Sequence, residues 1–174
     1  MNTLNVTNYF ELFGLTPRFS IDLNCLEQSF HQLQAAAHPD RHAGSTHAEY
    51  RLALQQSTII NDGYHTLRNP SSRAQCLISL AGKAESAPAL SSAFLMAQMQ
   101  WREAVEEASV SNDIAVLEAL AKRLKHRVNV QVHELATVLD EYSDFVTAEL
   151  RVNELHFYEK LLTEINDAID RICS

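Results

Sequence analysis

The side chains best suited to chemistry are eight histidines, three cysteines and 22 acidic residues in a chain of 174. Few of them are arranged for it. His38, Asp40, His42 and His47 crowd one short stretch and offer metal-type donors. A helix presents ligands at i and i+4, but Pro39 and Gly44 break any helix there, so a solvated loop is expected and no metal. Cys25, Cys76 and Cys173 form no C-x-x-C pair and no disulfide framework, which fits a reducing compartment. Cys25 falls among apolar neighbours and reads as core, not as a nucleophile. The four glycines, Gly14, Gly44, Gly63 and Gly82, are too dispersed for a phosphate-binding loop. Glu103, Glu106 and Glu107 share a helical face without a partner base, which reads as a solvated acidic face. No catalytic residue, cofactor or enzyme activity is therefore expected.

Two groups of residues could act by binding. In Ala37-His38-Pro39-Asp40-Arg41, Pro39 fixes its own φ and removes a donor. Asp40 is then offered to solvent as an acceptor suited to a bidentate Arg on a partner. The same residues also suit a plain helix stop followed by a turn. Leu95, Met96 and Met99 fall at i, i+1 and i+4, on one side of a helix, and Glu103 and Glu107 continue that side. Spacing leaves open whether the apolar three enter a core or form an adaptable partner patch. Beside Phe157 stands Tyr158, where the apolar stripe expects Leu155 and Leu162 as core, so one aromatic is surplus to packing.

The elements that position these residues read as all-α. With only 4 Gly and 4 Pro the chain lacks the turns of a sandwich or barrel. Thr7 can cap a short helix to about Gly14, and Asp22 a second with the stripe Leu23, Leu26, Phe30, Leu33 and Ala37. Pro39 ends that helix near Ala37. Thr46-x-x-Glu49 is a capping box opening a third helix to about Leu67, with Ala53, Ile60, Tyr64 and Leu67 inward. Asn69-Pro70 starts a fourth, stopped by Gly82. After a linker at 82–91, Ser92 can cap a fifth helix over 93–109. Ser111-Asn112-Asp113 can cap a sixth with Ile114, Leu117, Leu120 or Ala121, Leu124, Val128, Val132, Leu135 and Leu139. A break near Asp140–Ser143 precedes the last helix, 144–172, with Phe145, Ala148, Val152, Leu155, Leu162, Ile165, Ile169 and Ile172 inward. The expected parts are residues 1–75, a join at 76–91 with the end of the fourth helix and the linker, and a three-helix bundle at 92–174.

Charge narrows the partners. The formal net charge is −8, and residues 1–75 hold five basic and six acidic side chains, leaving the excess to the second part. An acidic chain opposes nucleic acid and anionic membrane as partners. No apolar run approaches the roughly 18 residues of a span, and the N-terminus has no basic leader.

Asn8-Tyr9-Phe10-Glu11-Leu12-Phe13-Gly14-Leu15, His38-Pro39-Asp40 and Ile60-Asn61-Asp62-Gly63-Tyr64-His65-Thr66-Leu67 together resemble the J-domain of DnaJ-type co-chaperones, over about residues 7–75. Asn61-x-x-Tyr64-x-Thr66-Leu67-Arg68-x-Pro70-x-x-Arg73-Ala74 narrows this to the HscB family of iron–sulfur cluster assembly. Ala93-Phe94-Leu95-Met96-x-Gln98-Met99-x-x-Arg102-Glu103 resembles that family's scaffold-binding helix. The resemblance implies a J-domain joined to a three-helix bundle. It implies a loop, His38, Pro39, Asp40 and Arg41, that meets a DnaK-type, HscA-like chaperone and stimulates its ATPase. It also implies a face of Leu95, Met96, Met99, Glu103, Glu107 and Phe157 that binds an IscU-like scaffold, with Phe157 the exposed aromatic. A J-domain serving another client is the alternative. Family J-domains carry Lys or Arg on their second helix. Here only His31 stands there, so docking charge is expected from Arg41, Arg18 or Arg51. No cysteine-rich zinc module of the mitochondrial type is present, which implies the bacterial type and the cytoplasm.

Overall fold

The computed structural model describes residues 8–37, 46–82 and 89–173. Among these residues every regular element is helical: α1 (Tyr9–Leu12), α2 (Leu23–Ala36), α3 (His47–Arg68), α4 (Pro70–Leu80), α5 (Ser92–Val110), α6 (Ile114–Ala136), a π turn (Thr137–Glu141) and α7 (Phe145–Cys173). The chain divides into two compact units, Met1–Gly82 and Lys83–Ser174, so α4 packs with the first.

In the first unit, α3 is the element on which α1, α2 and α4 all pack. Its start is set by the capping box, in which Thr46 Oγ1 accepts from Glu49 N while Glu49 Oε2 accepts from Thr46 N at 2.8 Å. Ala53, Ile60, Tyr64 and Leu67 face inward as the spacing predicts. The first cap differs from expectation. Asn8, not Thr7, holds α1, through an Oδ1 that accepts from Phe10 N at 3.0 Å. Asp22 caps α2 and Asn69 caps α4, with Pro70 at the first position, and Gly82 leaves α4 at a left-handed φ of +66°. Of the α2 stripe only Leu26 and the cap Ala37 are fully inside; Leu23 is half exposed, because it stands in the first turn at the end of the hairpin. Cys25 is exposed, a correction to its expected core place. It follows Asp22, whose carboxylate pushes the thiol up and away from nucleophilic character. Phe10, Phe19, Leu26, Leu67 and Ile78 are fully buried; each contributes about 1.5–3 kcal/mol by leaving water. Buried Arg73 donates from Nη1 to the Leu67 carbonyl at 2.8 Å and lies 4.8 Å from the Phe19 ring centroid, so the charge is held rather than stranded.

In the second unit α5, α6 and α7 pack pairwise around Phe94, Leu117, Leu124, Tyr158, Leu161 and Ile165. Ser91, one residue before the expected Ser92, caps α5 by accepting from Phe94 N at 3.1 Å. The period drifts along the two long helices. Leu161 and Ala168 take the central positions of α7, while Leu162, Ile169 and Ile172 flank the core half-buried. On α6 it is Gln131, fully buried, that points inward, and Val132 beside it is half-buried. Gln131 is admitted because its Nε2 donates to Glu154 Oε2 at 2.8 Å, an oxygen that also accepts from Arg151 Nη1 at 3.2 Å. The expected break between the last two helices begins as a π turn. Ser143 then adopts a left-handed φ of +53°, and Asp144 caps α7 by accepting from Thr147 N at 3.1 Å.

Candidate functional site

His38, Pro39, Asp40 and Arg41 lie outside the described residues; the helices that flank them do not. α2 and α3 are joined along their contact by Phe30 stacked on Tyr64, with centroids 4.1 Å apart, and by Gln34 Nε2 donating to Asn61 Oδ1 at 3.3 Å. Arg68 braces Tyr64 from the far side, donating from Nη1 to the phenol oxygen at 3.0 Å. These contacts give Asn61 and Tyr64 of the motif a structural role. They tie the second half of α2 to the second half of α3, while the Thr46 box sets the start of α3. Charge near the loop is sparse. α2 bears neither Lys nor Arg, and its His31 stands 4.0 Å from Glu27 with both side chains largely in solvent. Arg18 and Arg51 are exposed at their positions before α2 and in α3.

A second surface lies on α5. Its first turns bury Phe94 yet leave Leu95, Met96 and Met99 exposed at 47%, 63% and 72%. Apolar side chains this open beside a formed core are not packing. Glu103, Glu106 and Glu107 continue the face and are exposed. Phe157 stands apart from that description. It is half-buried rather than free, edge-on to Phe94 (5.8 Å between centroids) and to Tyr158 (5.5 Å), with the Arg102 guanidinium 5.7 Å from its ring centroid. Tyr158 is the core aromatic of the pair, and Phe157 borders α5 on the side of Phe94 and Arg102. Arg102 is a residue the motif contains without giving it a role. It also lies 4.0 Å from Glu164 and so links the Phe157 edge to α7. Its place seven residues after Leu95 was the signal in the sequence. Between α5 and α7 this edge runs into a shallow groove of about 350 Å³, floored by Val105 and Leu161 and rimmed by Arg102, Glu106, Glu164 and Arg171. Among the described residues no helix is long and apolar enough to cross a membrane.

A helical hairpin whose connecting sequence contains His38-Pro39-Asp40, followed by a three-helix bundle with an open apolar face, defines a J-type co-chaperone. Residues 90–166 match the family model described as the HSCB C-terminal oligomerisation domain. The chain is 44% identical to the co-chaperone protein HscB homolog of Aromatoleum aromaticum, over 95% of each chain. It is 38% identical to that of Burkholderia cenocepacia, again over 95% of each. The solved chaperone HscB from Vibrio cholerae superposes with a TM-score of 0.82 at 33% identity, covering 95% of this chain and 99% of that one. The human co-chaperone HscB shares the fold, with a TM-score of 0.82 at 23% identity over 93% of this chain and 82% of that one. The chain belongs to the HscB co-chaperone family.

Proposed function

We propose that this chain is a non-enzymatic adaptor for iron–sulfur cluster assembly in the bacterial cytoplasm. Its first unit stimulates ATP hydrolysis by a DnaK-type, HscA-like chaperone through the loop His38, Pro39, Asp40 and Arg41. Its bundle carries an IscU-like scaffold to that chaperone on Leu95, Met96, Met99, Glu103, Glu107 and Phe157. The chemistry belongs to the chaperone. Docking favours the hydrolysis-competent state because the loop binds that state better than the other, a population shift. The observation that carries the reading is the exposure of Leu95, Met96 and Met99 beside a buried Phe94. A few desolvated apolar anchors with a carboxylate rim suit a hot-spot interface. Chaperone ATPase rates with and without this chain, the scaffold and a His38→Gln variant test it. Stimulation by the wild type, a further rise with scaffold, and neither with His38→Gln are expected; a flat rate at saturating chain refutes the reading. Stimulation without any scaffold capture would instead favour a J-protein for another client. The name of the family model over residues 90–166 favours a second reading beside the first, in which the bundle also pairs with copies of itself.

A further inference from the structure

Beyond Leu95 and Phe157 two stripes continue along the bundle. On α5, Leu95, Met99, Arg102 and Glu106 follow one another at three- and four-residue steps and so share a side. On α7, Phe157, Leu161, Glu164, Ala168 and Arg171 do the same. Their far halves wall the shallow groove of about 350 Å³, whose floor is the buried Val105, Leu161 and Ala168. From Phe157 to Arg171 the α7 stripe runs about 21 Å at 1.5 Å per residue. Where the groove begins, Arg102 and Glu164 stand 4.0 Å apart across it, both partly exposed. So loose a pair yields readily to a partner's charges. Farther on, Glu106 on the α5 wall and Arg171 on the α7 wall carry opposite charges that do not meet. Arg171 donates from Nε to the Asp167 carbonyl of its own helix at 3.1 Å. Among the described residues no ion pair involves either Glu106 or Arg171.

We infer that the scaffold's footprint runs on from Phe157 into this groove, where Glu106 and Arg171 set the direction in which the scaffold lies. The inference rests on the scaffold-binding reading and adds two residues and a polarity to it. The occupant is a scaffold segment with an apolar side chain on the floor, a cation toward Glu106 and a carboxylate toward Arg171. Continuity carries the argument, because Met99 and Phe157 lead into the groove on both walls. Chemistry supports it. A guanidinium with free donors at an apolar floor suits a bidentate carboxylate. A segment laid the other way round would set like charges against each other on both walls, which is how rim charges fix register. The outward side of α5 is acidic throughout, with Glu103 and Glu107, so Arg171 is what makes the two walls unlike. A small zwitterion fits less well, since a groove this shallow leaves most of it in water, whereas small-ligand pockets enclose theirs.

Isothermal titration of the full chain with a purified IscU-like scaffold, at about 0.1 M salt, tests the inference. Arg171→Glu and Glu106→Lys should each weaken binding about fivefold or more. The double variant Arg171→Glu with Glu106→Lys keeps the net charge of the wild type but reverses the polarity, so it should bind more weakly than either single variant. Lys122→Glu makes the same charge change as Arg171→Glu at an exposed residue of α6 that does not line the groove, and it should bind within about twofold of the wild type. Thermal melts of all four variants should match the wild type, as for exposed sites. A double variant with wild-type affinity would reduce the effect to net charge and overturn the inference, as would equal weakening by Lys122→Glu. Wild-type affinity in every variant would leave the groove to another occupant and overturn it too, with the adaptor reading intact. A wild-type chain that binds no scaffold removes both.

Discussion

Phe157 packs with one part of its ring and, in the proposed function, takes part in scaffold recognition with another. One edge closes the core against Phe94 and Tyr158, and a face meets Arg102. Truncation should therefore do two things at once. Leu95→Ala, Met96→Ala and Met99→Ala together are expected to leave thermal unfolding nearly unchanged, within about 0.5 kcal/mol, as for exposed sites. Scaffold binding should weaken by roughly 1 kcal/mol or more per anchor. Phe157→Ala should weaken binding as well but also lower stability by about 1–3 kcal/mol, less than a fully buried Phe. Calorimetric melts beside scaffold titrations decide this, and a triple variant that loses cooperative unfolding would return those side chains to the core. The sequence placed Tyr158 inside and set Phe157 apart through resemblance, since spacing could not choose between adjacent aromatics. It could not reveal Gln131 as the buried residue over Val132 either. The partner that permits it, Glu154, stands 23 residues away on another helix. A periodic pattern records hydrophobicity along one helix and is blind to such a bond.

Helix boundaries were the most legible feature of the elements, because they depend on short-range chemistry. The Thr46 box, the Asp22 cap and the Asn69-Pro70 start are all in place, Asp113 is the one of Ser111-Asn112-Asp113 that caps α6, and the misses at Asn8 and Ser91 are one residue each. Caps also couple the fold to pH. Asp22 accepts from Cys25 and Asn24 amides, and Asp144 from Thr147. These hydrogen bonds favour the ionised form and hold both carboxyls below the ordinary value. The unfolded chain then binds more protons than the folded one. The stability they contribute is complete above the ordinary carboxylate value and is lost as pH falls through the lower folded value, below about pH 4. Asp22→Asn with Asp144→Asn keeps an accepting oxygen at each cap. Its denaturation midpoint should fall less steeply with acid than the wild type's; parallel curves would exclude the caps as the source.

A different element-scale constraint was not legible, although the motif contained it. A Cβ on Gly63 would stand 2.8 Å from Tyr9 Cδ1 and 3.0 Å from Phe13 Cε2. α1 is only four residues long and sits on α3 at that point. Gly63→Ala gains about 1 kcal/mol of helix propensity. The crowding of two aromatic rings near their attachment costs about 1–3 kcal/mol. A net loss on chemical denaturation is expected, with faster hydrogen exchange in α1. A rise in stability would mean that the rings move aside freely.

At the scale of the molecule the charge and the elements divide together. The near-neutral first unit holds the hairpin, and the acidic second unit holds the bundle with its own apolar core. A fragment of residues 84–174 is expected to fold cooperatively, to bind the scaffold and to leave the chaperone ATPase at its basal rate. Circular dichroism and isothermal titration check the first two points. A folded fragment without scaffold affinity would undo the division of labour. The all-α class and the bundle were legible from glycine scarcity and long periodic stripes, whereas the presentation of Leu95, Met96 and Met99 to solvent was not, since one apolar spacing serves core and interface alike.

The seat of α1 on Gly63 also sets a clock for synthesis. A four-residue helix has no stability of its own, so Phe10 and Phe13 gain their burial only when α3 is available. Gly63 is translated 54 residues after Tyr9. At about 5–20 residues per second the aromatic segment waits roughly 3–11 s for its surface. During that interval Phe10 and Phe13 lack the surface that buries them in the folded chain, so the first aromatic segment is among the last parts of its unit to gain its packing.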